Sequence, residues 1–337
     1  VIPGRGQPIP NAIIAVSPSS GKITHVGSQA NFPNPPPKSK QVHVHCLLPG
    51  LWDVHAHFTG ITQIDFPEMI TTHPATCGAA IARSFHDTLM AGITSVRDVG
   101  SFAVEAHVAV EKGYILGPTV YGSGAAIGIT GGSCDAVMFP ADFMYARFGV
   151  DHSNYWAGCG MMVVADGVDE CRRAVRQQIR RGAKCIKIVA SGGVLSRTDD
   201  PQYRQYSDEE LRVLVEESSL QGRAVAIHAH GKKGIMAAIK AGAHTIEHGS
   251  YIDEEAATLM KERGVTLVAT RHVVEAGLKR LDKMHPATAR KMVMVAESHK
   301  KAYQTAIRLG VKIAMGTDIA GAEPGTEMSP GKQASEL

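Results

Sequence analysis

Leu51-Trp52-Asp53-Val54-His55-Ala56-His57-Phe58, which follows the turn Leu47-Leu48-Pro49-Gly50, is the stretch from which the rest of the chain can be read outward. Alternate side chains of an extended strand share a face, so His55 and His57 point the same way, about 7 Å apart along the chain. The apolar neighbours Leu51, Trp52, Val54 and Phe58 mark a buried strand. Unpartnered imidazoles there would cost stability, and one divalent metal held between them would remove that cost. An isolated His-x-His is as readily a pair of core histidines, so the reading requires partners elsewhere.

Beyond His57 one unit recurs, an apolar strand followed by an amphipathic helix that ends in glycine. Helices are predicted over His73–Gly92, Val104–Gly113 and Gly167–Gly182, with strands at Ile93–Val96, Thr119–Gly122 and Cys185–Ala190. Ser207-Asp208-Glu209-Glu210 is a capping box that opens a helix to Gln221. Strand Ala224–His228, helix Lys233–Ala241, strand His244–His248, helix Asp253–Arg263 and strand Thr266–Thr270 follow. A helix over Ala287–Leu309 leads to an eighth strand, Val311–Thr317. The fold class is therefore α/β, and eight strands alternating with helices predict a parallel TIM (β/α)8 barrel. An open doubly wound sheet fits less well, because no G-x-G-x-x-G follows the first strand.

Residues 1–50 are turn-rich and carry a predicted hairpin, Ala12–Val16 with Lys22–Gly27, read as part of a small β-sandwich domain. Residues 51–337 form the barrel, which ends shortly after strand eight, so that the sandwich and the last barrel helix read as incomplete. The stretch Gly128–Val164 holds Phe139, Phe143, Tyr145, Phe148, Tyr155 and Trp156 and is read as a long loop, a lid or substrate wall.

The chain has 337 residues, a net charge of +3 and 44% hydrophobic residues, a balance that points to neither nucleic acid nor membrane as partner. No signal peptide is recognisable, so the localisation, cytoplasmic or secreted, stays open. The cysteines (Cys46, Cys77, Cys134, Cys159, Cys171 and Cys185) form no C-x-x-C pair, and Cys46 and Cys185 lie in apolar runs as expected core thiols. A second His-x-His, His43 and His45, has no matching partners downstream.

Polar residues gather at the predicted C-terminal ends of strands one, four, five, six and eight, the face on which such barrels carry their active sites. Lys187 sits in the apolar strand Cys185-Ile186-Lys187-Ile188-Val189, where an ammonium is expensive. It either snorkels to a strand end or carries CO2 as an anionic carbamate. His228, His248 and Asp318 end strands five, six and eight. Singly each has a structural explanation. Together with His55 and His57 they supply the nitrogen and oxygen ligands that borderline divalent metals take.

These motifs, Asp53-Val54-His55-Ala56-His57, Ile186-Lys187-Ile188 with Ser191-Gly192-Gly193-Val194, His228, Ile246-Glu247-His248-Gly249 and Gly316-Thr317-Asp318, resemble those of the amidohydrolase superfamily. The resembling branch is that of imidazolonepropionase-like enzymes, Xaa-Pro dipeptidases and fungal ochratoxinases. The resemblance implies two Zn2+ per chain. His55, His57 and Asp318 would hold one and His228 and His248 the other, with carboxylated Lys187 as the bridge. It implies Asp318 as general base and then general acid, so that Asp318, Lys187 and His230 are the expected catalytic residues. His230, Arg271 and Tyr206 are the expected substrate contacts, with Tyr203 as a further lining residue. The implied substrate is a small-molecule amide or dipeptide whose amine half is a C-terminal amino acid, ochratoxin-type amides included. A homo-oligomer, up to an octamer, is the expected assembly. The alternatives are a cyclic-amide hydrolase or phosphotriesterase-like enzyme of the same fold, or a catalytically silent chain that binds a partner.

Overall fold

A computed structural model describes residues 1–32, 35, 37–62, 68, 71–135, 137, 139, 140, 142, 161–321 and 325–336. They fall into two compact units, Val1–Leu51 and Trp52–Leu337. In the first, β1 (Ala12–Val16) and β2 (Ile23–Ser28) pair antiparallel, with Ala12 opposite Ser28 and Ile14 opposite Val26. Cys46, expected in a core strand, is exposed, because residues 46–50 form no strand.

The second unit alternates strands and helices. In order they are β3 (Leu51–His57), α1 (Pro74–Met90), β4 (Ile93–Asp98), α2 (Ala103–Glu111), β5 (Thr119–Gly122), β6 (Ala126–Gly128) and β7 (Met162–Val164). Then come α3 (Gly167–Arg181), β8 (Cys185–Val189), α4 (Asp208–Leu220), β9 (Ala224–Ala229), α5 (Lys232–Ala241) and β10 (Thr245–His248). The last are α6 (Glu254–Arg263), β11 (Thr266–Val268), α7 (Arg271–Leu278), α8 (Pro286–Leu309) and β12 (Ile319–Ala320).

Two parallel sheets result, in the orders β11-β10-β9-β8-β6-β7 and β12-β3-β4-β5. Backbone hydrogen bonds join them in two places, beside β8 and beside β11. On one side Lys184 N donates to Gly122 O at 2.8 Å. On the other, residues 312–318 run between β11 and β3: Ala314 N donates to Leu267 O at 3.0 Å, Val54 N to Met315 O at 2.9 Å, and Asp318 N to His55 O at 2.7 Å. This is the TIM-barrel arrangement the sequence predicts. Regular pairing on the eighth strand is displaced to Ile319 and Ala320, opposite Ala56 and His57. Gly316 permits the close approach: a Cβ there would stand 2.8 Å from His55 Cβ and collide with Val268 Cγ1.

The local signals act as expected. Ser207 Oγ accepts from Glu210 N while Glu210 Oε2 accepts from Ser207 N, the reciprocal cap that starts α4. Strand residues Ile186, Ile188, Val225, Ile227, Ile246 and Leu267 pack against Val175, Leu211, Leu214, Ile235 and Met260 of the surrounding helices, and this core fixes the strands that carry the site.

Three local readings differ. The stretch read as one loop begins and ends in strands, since β6 and β7 pair with each other; its Phe143, Tyr145, Phe148, Tyr155 and Trp156 lie outside the described residues. Strand seven stops at Val268, and α7, masked in the sequence by the β-branched pair Val273-Val274, begins at Arg271. Trp52, read as a buried strand residue, is 46% exposed and stacks on Tyr121 with ring centroids 5.3 Å apart.

Candidate metal centre

Each site residue lies on a strand or next to one. His55 and His57 come from β3, Lys187 from the centre of the fully buried β8, His228 from β9, and His248 from the last position of β10. His230 follows β9, and Asp318 directly precedes β12. His248 (φ 69°), Thr270 (φ 52°) and Asp318 (φ 58°) take left-handed backbone conformations, which cost side-chain-bearing residues roughly 1–3 kcal/mol each and concentrate at functional sites.

Asp318 Oδ1 lies 3.2 Å from His57 Nε2 and 3.4 Å from His55 Nε2, and Lys187 Nζ lies 3.4 Å from the same His55 nitrogen. The remaining imidazole nitrogens face acceptors or hydroxyls. His55 Nδ1 donates to Glu247 Oε2 at 2.6 Å, His57 Nδ1 to Gly100 O at 3.0 Å, and His228 Nε2 to Gly192 O at 3.2 Å. His248 Nδ1 is 2.7 Å from Thr270 Oγ1, and His230 Nδ1 is 2.7 Å from Ser250 Oγ. Because a ring nitrogen facing a carbonyl or carboxylate must carry the proton, the inward nitrogens of His55 and His228, whose rings stay neutral, present lone pairs, while His57 holds its Nε2 against the Asp318 carboxylate. The His55 lone pair and the Asp318 carboxylate oxygen, 3.4 Å apart, repel one another unless a cation, a metal ion or the protonated His57 ring, stands beside them. Ligand atoms of His55, His248 and Asp318 lie within 4.8 Å of one another, as do those of His228, His230 and His248. The donor set fits divalent metal on both counts of chemistry and convergence.

The protonation states agree for every site imidazole but His57. Burial, then the Lys187 charge, pushes His55 down to about 4, and the same two causes push His228 to about 4. His230 and His248 are held well below the ordinary imidazole value by burial and then by the His228 charge. Burial lowers Lys187 toward the neutral amine. It works against the Asp318 carboxylate, but His55, His57 and Lys187 outweigh it and keep Asp318 ionised. His57 alone is raised, since Asp318 and Asp98 outweigh its burial.

The site opens into a cavity of about 570 Å³ lined by His55, His57, Lys187, His228, His248 and Asp318, and by Phe139, Met161 and the 193–197 loop. An adjoining space of about 50 Å³ is lined by His230, His248, Thr270, His299 and Asp318. Two expected substrate contacts are elsewhere. Arg271 opens α7 with its guanidinium committed to Glu275, Ala296 O and His299, because the helix turns it back toward α8. Tyr206 is 1% exposed and donates its hydroxyl to Ala165 O at 3.1 Å, and Tyr203 is 70% exposed; neither lines the cavity.

The sequence reading left several residues unassigned. Glu247 is buried between His55 and Arg97, whose Nη2 donates to Glu247 Oε1 at 2.7 Å. Asp53 accepts from Thr317 N, Thr317 Oγ1 and His55 N, tying the Gly316-Thr317-Asp318 turn to β3. Asp98 accepts from Phe58 N and Ser101 Oγ beside His57. A charged residue inside or ending a buried strand was the available signal in each case.

Residues 46–335 match the model of the Amidohydrolase family. The chain is 47% identical to the ochratoxinase of Aspergillus niger over 331 residues, 96% of this chain and 68% of that protein. The crystal structure of A. niger ochratoxinase superposes with a TM-score of 0.85 at 44% identity, covering 99% of this chain and 79% of that one. A Xaa-Pro dipeptidase with methionine bound in its active site superposes with a TM-score of 0.75 at 32% identity, covering 86% and 69%. A prolidase complexed with N-methylphosphonate-L-proline gives 0.77 at 29% identity, covering 92% and 77%. With the metal-ligand geometry, the TIM-barrel fold and a family match across most of its length, the chain belongs to the amidohydrolase family, and it is a hydrolase of carbon-nitrogen bonds.

Proposed function

We propose that the protein is a binuclear zinc amidohydrolase that cleaves the amide bond to a C-terminal amino acid, as in N-acyl amino acids and dipeptides, with ochratoxin-type amides in its range. One observation carries the reading: Asp318 Oδ1, His55 Nε2, His57 Nε2 and Lys187 Nζ meet within 3.4 Å contacts at the floor of a cavity large enough for such an amide. The likeness to ochratoxinase and to two dipeptide-cleaving relatives supports the substrate class.

His55, His57 and Asp318 would hold one cation and His228 and His248 the other, and Lys187, once its amine had added CO2 and released a proton, would supply an anionic oxygen ligand between them. The neutral amine that burial favours is the form able to add CO2. Two divalent cations there supply Lewis acidity, lowering the pKa of water and polarising a carbonyl. Asp318, ionised and within 3.2 to 3.4 Å of both β3 imidazoles, takes the proton of the attacking water and returns it to the leaving amine nitrogen. His230, fixed by Ser250 Oγ and by its backbone bond to Ser191 Oγ, offers an uncharged hydrogen-bonding group to the amine-side carboxylate.

The test is a panel of N-acyl amino acids and dipeptides against hydantoin-like rings and phosphotriesters, run on protein supplied with zinc and bicarbonate. Turnover confined to the first group, abolished by a chelator and restored by metal, is expected. Turnover only of rings or phosphotriesters, or turnover that survives complete metal removal, overturns the reading.

A further inference from the structure

The cavity has a second chemical character at its mouth, away from the buried ligands. Arg280, half-buried, and the exposed Lys283 and Arg197 line it. Among the described residues none of these three has an ion-pair or hydrogen-bond partner for its charge. Their neighbours do. Lys279 Nζ is held by Glu327 at 2.9 Å, and Lys291 Nζ by Gly193 O at 2.7 Å, Asp199 O at 2.9 Å and Asp199 Oδ1 at 3.3 Å. Among the described residues, Lys279 and Lys291 beside the cavity are paired, and Arg280, Lys283 and Arg197 on its lining are not.

The two supports are firm. The turn carrying Arg280 and Lys283 is closed by Arg280 N donating to Gly277 O and Lys283 N to Arg280 O, both at 3.0 Å. A Cβ on Gly277 would stand 2.6 Å from Met292 Cε, so α7 and α8 are in close contact under that turn. Arg197 sits on the loop that Asp199 and Lys291 pin, with Asp199 Oδ2 accepting from Gly193 N at 3.0 Å. Outside the metal centre Asp135 is the one carboxylate among the described lining residues. The wall beneath the cations, Val273, Ala276, Met284 and Met292, is apolar.

From this arrangement we infer that the mouth is an anion subsite: Arg280, with Lys283 and Arg197, receives a carboxylate on the outer, acyl portion of the substrate, whose apolar body lies against α7 and α8. It rests on the amide-hydrolase reading above and adds to it a preference for amides that are acidic on the acyl half as well as beside the scissile bond. The burial gradient separates the two anions, since His230, in the adjoining inner space, is 5% exposed whereas Lys283 and Arg197 are at the surface. A half-buried guanidinium with no counter-charge gains from a bidentate carboxylate, and gains more than an ammonium fully in water.

Matched amides test it: N-(4-carboxybenzoyl)-leucine against N-benzoyl-leucine, by kcat/KM on the zinc-supplied protein and by equilibrium binding to the Asp318→Asn variant. The carboxylated member is expected to be preferred by about 10- to 100-fold in both readouts, chiefly through KM, with the preference shrinking at high salt. In Arg280→Gln the pair should come within about threefold, and the triple replacement of Arg280, Lys283 and Arg197 by Gln should erase the difference. Equal binding of the two amides, or a preference that survives the triple replacement, overturns the subsite even if both are hydrolysed. A binding preference lost in Arg280→Gln, with neither amide hydrolysed, upholds the subsite and counts against the hydrolase reading alone.

Discussion

Glu247 Oε2 lies 2.6 Å from His55 Nδ1, and the other oxygen of the same carboxylate takes Arg97 Nη2 at 2.7 Å. Burial opposes the Glu247 charge, but Arg97, His55 and Lys187 hold its carboxyl far below the usual range, so the acceptor facing His55 is permanent. His55 must then keep its proton on Nδ1 and turn a lone pair toward Asp318 and Lys187. Glu247→Gln removes that constraint and leaves the Arg97 guanidinium uncompensated. A loss of about 10- to 100-fold in metal affinity and turnover is expected. Titration of the apoprotein with Zn2+ checks it, and wild-type affinity in the variant would show that His55 is oriented by other contacts.

Lys291 and Asp199 are 12% and 9% exposed in their side chains, and together they hold the loop whose Gly192 carbonyl takes the His228 proton. Lys291→Met leaves a buried carboxylate without its cation. A destabilisation of about 3 kcal/mol is expected from urea unfolding. A double-mutant cycle with Asp199→Asn should show strong coupling; additive effects would mean that the pair does not act as a unit.

Gly316 faces His55 and Val268 with no room for a methyl group. Gly316→Ala should cost about 1–3 kcal/mol and lower metal content at the same time, because the strain is delivered to the strand that carries His55. Loss of stability with full metal retention would place the relaxation away from the site.

Acid sensitivity should reside in part at His299. Its Nε2 donates to Ala269 O at 2.6 Å and its Nδ1 accepts from Arg271 Nη1 at 3.2 Å, so a second proton has nowhere favourable to point. Burial is the main cause that lowers it from 6.5 to about 4 in the fold. The folded pKa is depressed, so the contribution is complete above 6.5 and is lost as pH falls from 6.5 toward 4. Up to about 3 kcal/mol should go over that window. Wild type should lose stability more steeply than His299→Gln between about pH 7.5 and about pH 4.5, and parallel curves would exclude His299 as the cause.

The barrel was legible because its strands are runs of apolar residues that alternate with helices closed by glycine caps, and the candidate site because polar side chains in and beside those runs stand out against them. Lys187 in the middle of Cys185–Val189 is the clearest case, a cation with no local reason to be buried. Long-range pairing was not legible. Nothing near Arg97 in the sequence announces Glu247, 150 positions away, and nothing near Arg271 announces that Glu275, Ala296 and His299 claim its guanidinium. Exposure of Trp52 was equally hidden, since an apolar residue at the start of a buried strand reads the same whether it faces the core or stacks on Tyr121.

The central claim, that Lys187 and Asp318 join four imidazoles from three strands in holding a pair of cations, is tested most directly by counting metal. Wild-type protein supplied with zinc and bicarbonate is expected to retain about two equivalents per chain after gel filtration, and Lys187→Ala well under one, with turnover lost in proportion. A wild type that retains none, or a Lys187→Ala variant that keeps its full complement and its activity, would contradict it.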